Sequence, residues 1–110
     1  MLENKVQLIA PANSKLGQIF PELQIFDLPF AFQNTSQVHR AMDGEIGKKL
    51  SEIMSKNSFL PLAYWDNGFK QMTNSRRPLI YPSDFSGLTF RCMINSKVLE
   101  EQFLAMGAKA

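Results

Sequence analysis

One guanidinium stands in an apolar run. The stretch GLTFRCMINS (87–96) carries Arg91 among Leu88, Phe90, Cys92 and Ile94. At a period of two, those four apolar residues share one face, and Thr89, Arg91 and Met93 take the other. The run reads as a buried strand, where an arginine is costly unless something negative pairs with it. Two answers are open. Arg91 either reaches solvent or an acid of the same chain, such as Asp84, or it waits for a ligand carboxylate. Arginine can grip a carboxylate with two parallel hydrogen bonds, which lysine cannot copy. Spacing alone favours the first answer, but the position also suits a ligand, because a helix begins a few residues later. Ligands of open α/β sheets collect beyond the C-terminal ends of strands, where helix N-termini offer free N–H groups to an anion.

Other chemistry has little to build on. There is one histidine, His39, and one cysteine, Cys92, so neither a zinc cluster nor an intrachain disulfide can be assembled. Cys92 reads as a small core residue. No nucleophile–base pair, paired carboxylates or Gly-rich phosphate loop is present. The glycines of DGEIGKK (43–49) lie inside a helical pattern and do not follow a strand. His39 falls beside the apolar positions of its helix and reads as partly buried. Tyr64, Trp65 and Phe69 read as core or as the wall of a cleft. The chain is therefore read as no enzyme, with no cofactor. A net charge of +2, with no basic stripe beyond Arg76–Arg77, argues against nucleic acid.

The elements that must position Arg91 follow from periodicity. The chain has 110 residues, 45% hydrophobic and 20% charged, which is globular composition for one small domain or for part of a larger one. No run approaches a membrane span of about 20 apolar residues. Val6–Ala10 reads as a strand, closed by Pro11-Ala12-Asn13-Ser14. A short helix and then extended chain through LQIFDLPF are expected before Phe32. Asn34, with Gln37 three residues on, resembles a capping box. Val38, Met42, Ile46, Leu50, Ile53 and Met54 recur at helical spacing, as one amphipathic helix or two broken near Asp43-Gly44, ending at Asn57. Phe59–Trp65 reads as a strand and Phe69–Thr73 as extended chain. Pro82–Gly87 reads as one helical turn. After the Leu88–Ile94 strand, Asn95 or Ser96 caps a final helix with Leu99, Phe103 and Met106 on one face and Gly107 at its end. Strands alternating with helices give an α/β class with mainly parallel pairing.

Five motifs in order resemble one family, the DctP-type solute-binding proteins of TRAP transporters. They are FPELQIFDLPF (20–30), DGEIGKKL (43–50), LAYWDNGFKQMTNSRRP (62–78), PSDFSGLTFRCM (82–93) and FLAMGA (103–108). The resemblance implies two α/β lobes joined by crossing strands, with an organic acid clamped between them. It puts the arginine that holds the ligand carboxylate at Arg91. A second basic position falls on Lys70, where some members have arginine, so the charge is kept and the bidentate fork is lost. Asn13 and Ser14 match another cleft-facing segment, and Trp65 joins the ligand-binding set as cleft wall.

Family members are much longer, and the chain reads as an internal fragment. Residues 1–66 are expected to be the end of the first lobe, and 67–110 the crossing strand and the start of the second. The opening MLENKVQLIAPANS reads as a strand and not as a signal peptide. The resemblance implies a periplasmic protein that delivers a carboxylate to the membrane subunits of a transporter. Such a fragment, with open strand edges, is expected to self-associate. The rival reading is a self-contained small α/β interaction domain, in which Arg91 makes a structural ion pair and no small molecule binds.

Overall fold

A computed structural model describes residues 5–110. Among the described residues four α-helices carry the chain: α1 (Asn13–Leu16), α2 (Thr35–Asp43), α3 (Glu45–Lys56) and α4 (Lys97–Ala105). Two 3-10 helices add Pro21–Asp27 and Pro82–Phe85.

The caps explain where the helices start and stop. Asn34 accepts a hydrogen bond from the Gln37 N–H at 3.0 Å, and the Gln37 side chain accepts from the Gln33 N–H at 2.8 Å. Donors left without helical partners at the start of α2 are thereby satisfied. The break expected near Asp43-Gly44 is present, with extended Gly44 between α2 and α3, and Asn57 ends α3 as read. Ser96 caps α4. Beyond its last turn, Gly107 takes a positive φ of 75°. Its N–H reaches the Leu104 carbonyl, and the Ala108 N–H reaches that of Phe103, each at 3.0 Å. This pattern turns the chain back along the helix it has just left, and a glycine adopts it without steric cost.

Apolar side chains gather into two clusters. Phe20, Leu23, Leu50, Met54 and Phe59 form the first, with Leu16, Phe26, Met42, Ile46, Ile53 and Tyr64 packed around it. Its aromatic contact is edge-to-face, Phe20 on Phe59 at 5.3 Å between centroids. The second holds Phe90, Phe103 and Ala108, flanked by Met72, Leu79, Phe85, Leu88, Cys92 and Met106. Phe90 stacks on Phe103 at 4.7 Å. The radius of gyration is 16.0 Å, above the roughly 13 Å of a compact domain of this length. The two clusters are spread out and not merged into one core.

The strand expectations are corrected. Among the described residues Val6–Ala10, Phe59–Trp65 and Leu88–Ile94 form no strand ladder, with a bend at Gln7 and a turn at Ile94. Among the described residues the one β contact outside helices is a parallel bridge between Thr89 and Lys109. A strand needs a neighbour that continues its backbone hydrogen-bond ladder, and the 88–90 stretch has just the short return of 107–109 beside it. Side-chain alternation reports which faces are apolar. It does not report whether a partner strand is there. Leu8, Leu60, Leu62 and Ile94 are accordingly exposed. The α/β class with parallel pairing is therefore not what the described residues show, which is helices and extended chain. Two smaller readings are corrected as well. LQIFDLPF does not run extended, since most of it lies in the Pro21–Asp27 helix, and His39 is exposed with its Nε2 3.7 Å from Asp66 Oδ2.

Gly47 sets the approach of α2 to α3. It is buried, and a Cβ there would overlap the backbone carbonyl of Met42. Alanine at a helical site ordinarily gains about 1 kcal/mol over glycine. Overpacking against a rigid carbonyl costs about 1–3 kcal/mol or more, so the clash wins. Gly47→Ala is expected to lower the urea midpoint, against the helix-propensity trend; a raised midpoint would show that the helices separate freely.

Candidate functional site

Arg91 sits where two backbone returns meet. The Gly87 N–H donates to the Gly107 carbonyl at 2.9 Å, the Phe90 N–H to the Lys109 carbonyl at 2.8 Å, and the Lys109 N–H to the Leu88 carbonyl at 2.8 Å. The chain leaving α4 thus holds the 87–90 stretch in place. The period-two pattern then operates as read through Cys92. Leu88, Phe90 and Cys92 turn toward the second cluster, and Arg91 points the other way and is exposed. Among the described residues its guanidinium has no hydrogen-bond or ion-pair partner.

Asp84 does not pair with it. The Asp84 carboxylate accepts from the Tyr81 N–H at 2.8 Å and the Ile80 N–H at 2.9 Å, closing the start of the Pro82–Phe85 helix. Arg77 occupies the same turn, donating from Nε to the Asp84 carbonyl and from Nη2 to the Ser86 carbonyl. The Tyr81 and Ile80 hydrogen bonds, with the Arg77 charge behind them, hold the Asp84 carboxyl below its ordinary value of 3.8. A depressed carboxylate stabilises the fold above its unfolded pKa, and that contribution fades as the pH falls through the folded value. Asp84→Ala is therefore expected to lower the melting temperature at pH 7, with the gap to wild type narrowing below about pH 4. A gap that stays constant with pH would mean the lost turn contacts, and not the charge, set the effect.

Lys70 is already engaged. Its ammonium forms an ion pair with Asp27 Oδ1, although its own side chain is 39% exposed. Asp27 is 8% exposed, and its other oxygen accepts from the Ser96 hydroxyl at 2.6 Å. Ser96, 3% exposed, in turn accepts from the Leu99 N–H at 3.4 Å as the cap of α4. Gln24, on the same 3-10 helix as Asp27, accepts from the Val98 N–H at 3.3 Å. Gln18, just after α1, donates to the Asn95 side chain at 2.7 Å. Asn95 holds a left-handed φ of 70°, which asparagine tolerates, and turns the Arg91 stretch into α4.

The other sequence candidates are placed less closely. Asn13 and Ser14 open α1; Ser14 is buried and Asn13 half-buried. Gln18, two residues beyond α1, is what ties this region to the end of the Arg91 stretch. Trp65 is 84% exposed beside the His39–Asp66 contact, and no contact among the described residues joins it to Arg91. Sequence reasoning missed Asp27, Ser96, Gln18 and Asn95 as one polar seam. A signal was available for Asp27, because a lone carboxylate in IFDLPF is the same anomaly as the lone guanidinium in LTFRCM.

Known proteins resemble the chain along nearly all of its length. The family model described as bacterial extracellular solute-binding protein, family 7 (DctP) matches residues 1–110. The C4-dicarboxylate-binding protein DctB of Bacillus subtilis (strain 168) is 45% identical over 103 residues, 94% of this chain and 29% of its own length. The C4-dicarboxylate-binding periplasmic protein DctP of Rhodobacter capsulatus is 40% identical over 104 residues, 94% of this chain and 31% of its own length. A crystal structure of a TRAP periplasmic solute-binding protein from Sulfurospirillum deleyianum, with bound succinate, superposes with a TM-score of 0.83 at 43% identity. It covers 90% of this chain, which spans 32% of that one. The chain thus spans about three-tenths of the length of the curated relatives it matches.

Proposed function

The chain belongs to the bacterial extracellular solute-binding proteins of family 7, and on that premise we propose that the protein it forms part of captures a C4-dicarboxylate such as succinate. It does so in the periplasm and hands the acid to the membrane subunits of a TRAP-type transporter. Its action is binding coupled to closure of two lobes, with the ligand shifting an open–closed equilibrium, and involves no catalysis. The two similar proteins named for C4-dicarboxylate binding and the succinate-bound neighbour support the ligand class.

In this reading residues 1–66 end the first lobe, and 67–110 supply the crossing strand and the start of the second. The two apolar clusters support that boundary, since the first draws on residues up to Tyr64 and the second on residues from Met72 onward. In the full-length protein the alternating stretches 6–10, 59–65 and 88–94 gain neighbours and run as strands. Arg91 clamps a ligand carboxylate, and Asn13, Ser14 and Trp65 line the cleft. Lys70 supplies the second positive charge near it.

The observation that carries the proposal is the exposed Arg91 guanidinium, unpaired among the described residues, one turn of backbone before α4. The intrachain alternative at Asp84 is spent elsewhere. Calorimetric titration of the full-length protein with succinate, butyrate and succinamide tests it. Succinate is expected to bind with one site per protein, and removing one or both carboxylates should cost most of the affinity. Absence of binding to any dicarboxylate in the panel would end the proposal.

A further inference from the structure

The polar seam between the two halves of the chain does more than fill space. Asp27 lies almost wholly out of water, and each of its oxygens is committed to a different distant segment. Oδ1 holds Lys70, 43 residues on, and Oδ2 holds Ser96, 69 residues on. Ser96 is both the cap of α4 and the residue five places beyond Arg91. Two further side chains of the first half, Gln18 and Gln24, grip Asn95 and the Val98 N–H. Four consecutive residues around the start of α4, 95–98, are thus pinned from the first half or adjoin a residue that is.

We propose that Asp27, Lys70 and Ser96 form one coupled clasp that positions the Arg91 stretch, and that Lys70 acts on ligand affinity through Asp27 without gripping the ligand itself. This rests on the carboxylate reading above. The chemistry favours it, because a buried carboxylate left without its cation is heavily penalised, so the ammonium cannot be withdrawn toward a ligand at little cost. A carboxylate beside the N-terminal turn of α4 also gains from the helix dipole, which keeps Asp27 at that end of the helix. Arg91 has no such commitment and is left to meet the ligand. Asp27, Lys70 and Ser96 are positioning residues in this account.

The test is a double-mutant cycle on the full-length protein with Asp27→Asn, Lys70→Met and both together, reading the succinate Kd and the unliganded melting temperature. Residues in one ion-pair network couple measurably, whereas independent ones add. Each single variant is expected to weaken succinate binding about tenfold, and the double variant no more than the weaker single. In an Arg91→Ala background, Asp27→Asn should still lower the melting temperature but leave the residual Kd nearly unchanged, since what it positions is gone. If Lys70→Met weakens succinate equally with and without Asp27, Lys70 holds the ligand directly and the inference is overturned. It is overturned as well if all three variants bind like wild type while melting lower, which would make the seam purely structural. A wild-type protein that binds no C4-dicarboxylate overturns the functional reading instead. The melting cycle then decides the clasp alone, coupled melts upholding it and additive melts overturning it.

Discussion

Arg91→Ala in the full-length protein is expected to raise the Kd for succinate by about 30-fold to several thousand-fold. Truncating one partner of a desolvated charge pair costs about 2–5 kcal/mol, because the remaining charge is left without a partner, and each ~1.4 kcal/mol is a factor of ten. Arg91→Lys should also bind poorly, since a point charge does not reproduce the planar fork that meets both carboxylate oxygens. The unliganded protein should tolerate both changes, because Arg91 holds nothing among the described residues that its loss would release. Thermal melts with and without succinate separate the two possibilities. A structural arginine would lower the unliganded melting temperature and keep the full ligand-induced shift; the clamp predicts an unchanged melt and a lost shift.

Asp27→Ala should cost about 2–4 kcal/mol of stability, the largest single effect expected at a polar residue in this chain. The Ser96 hydroxyl is buried and would lose its acceptor, which costs about 1–3 kcal/mol for an unsatisfied buried group. Lys70 would lose its counter-charge, and because its side chain is 39% exposed it recovers part of its hydration. That recovery holds the total toward the low end of the 3–5 kcal/mol seen when a fully buried pair is broken. Asp27→Asn should cost less, as the amide oxygen can still accept from Ser96. Chemical unfolding of the three proteins ranks them; an Asp27→Ala midpoint equal to wild type would show that the seam contributes nothing net.

Much of this fold was legible because local signals act locally. The Asn34 cap, the break at Gly44, the stop at Asn57, the Ser96 cap and the turn at Gly107 each rest on residues within a few positions of one another, and each is present. Strands were not legible in the same way. Leu88, Phe90 and Cys92 do share an inward face, yet alternation cannot announce a neighbouring strand, and among the described residues no ladder runs beside Phe59–Trp65. The site divides along the same line. Arg91 stood out because a charge in an apolar run is visible in one segment. The seam from Asp27 to Lys70 to Ser96 spans separations of 43 and 69 residues, and no local pattern encodes which distant segments a buried carboxylate will meet. Lys70 was found through its place after Asn67-Gly68. Its partner was not, because family likeness marked the basic position and Asp27 drew no attention inside IFDLPF.

The most direct measurement is a crystal structure of the full-length protein with succinate bound. One succinate carboxylate is expected to face the Arg91 guanidinium through two parallel N–H···O bonds of about 2.7–2.9 Å, with Lys70 still paired to Asp27. Succinate held elsewhere, with Arg91 turned to solvent or bound to an acid of its own chain, would contradict it.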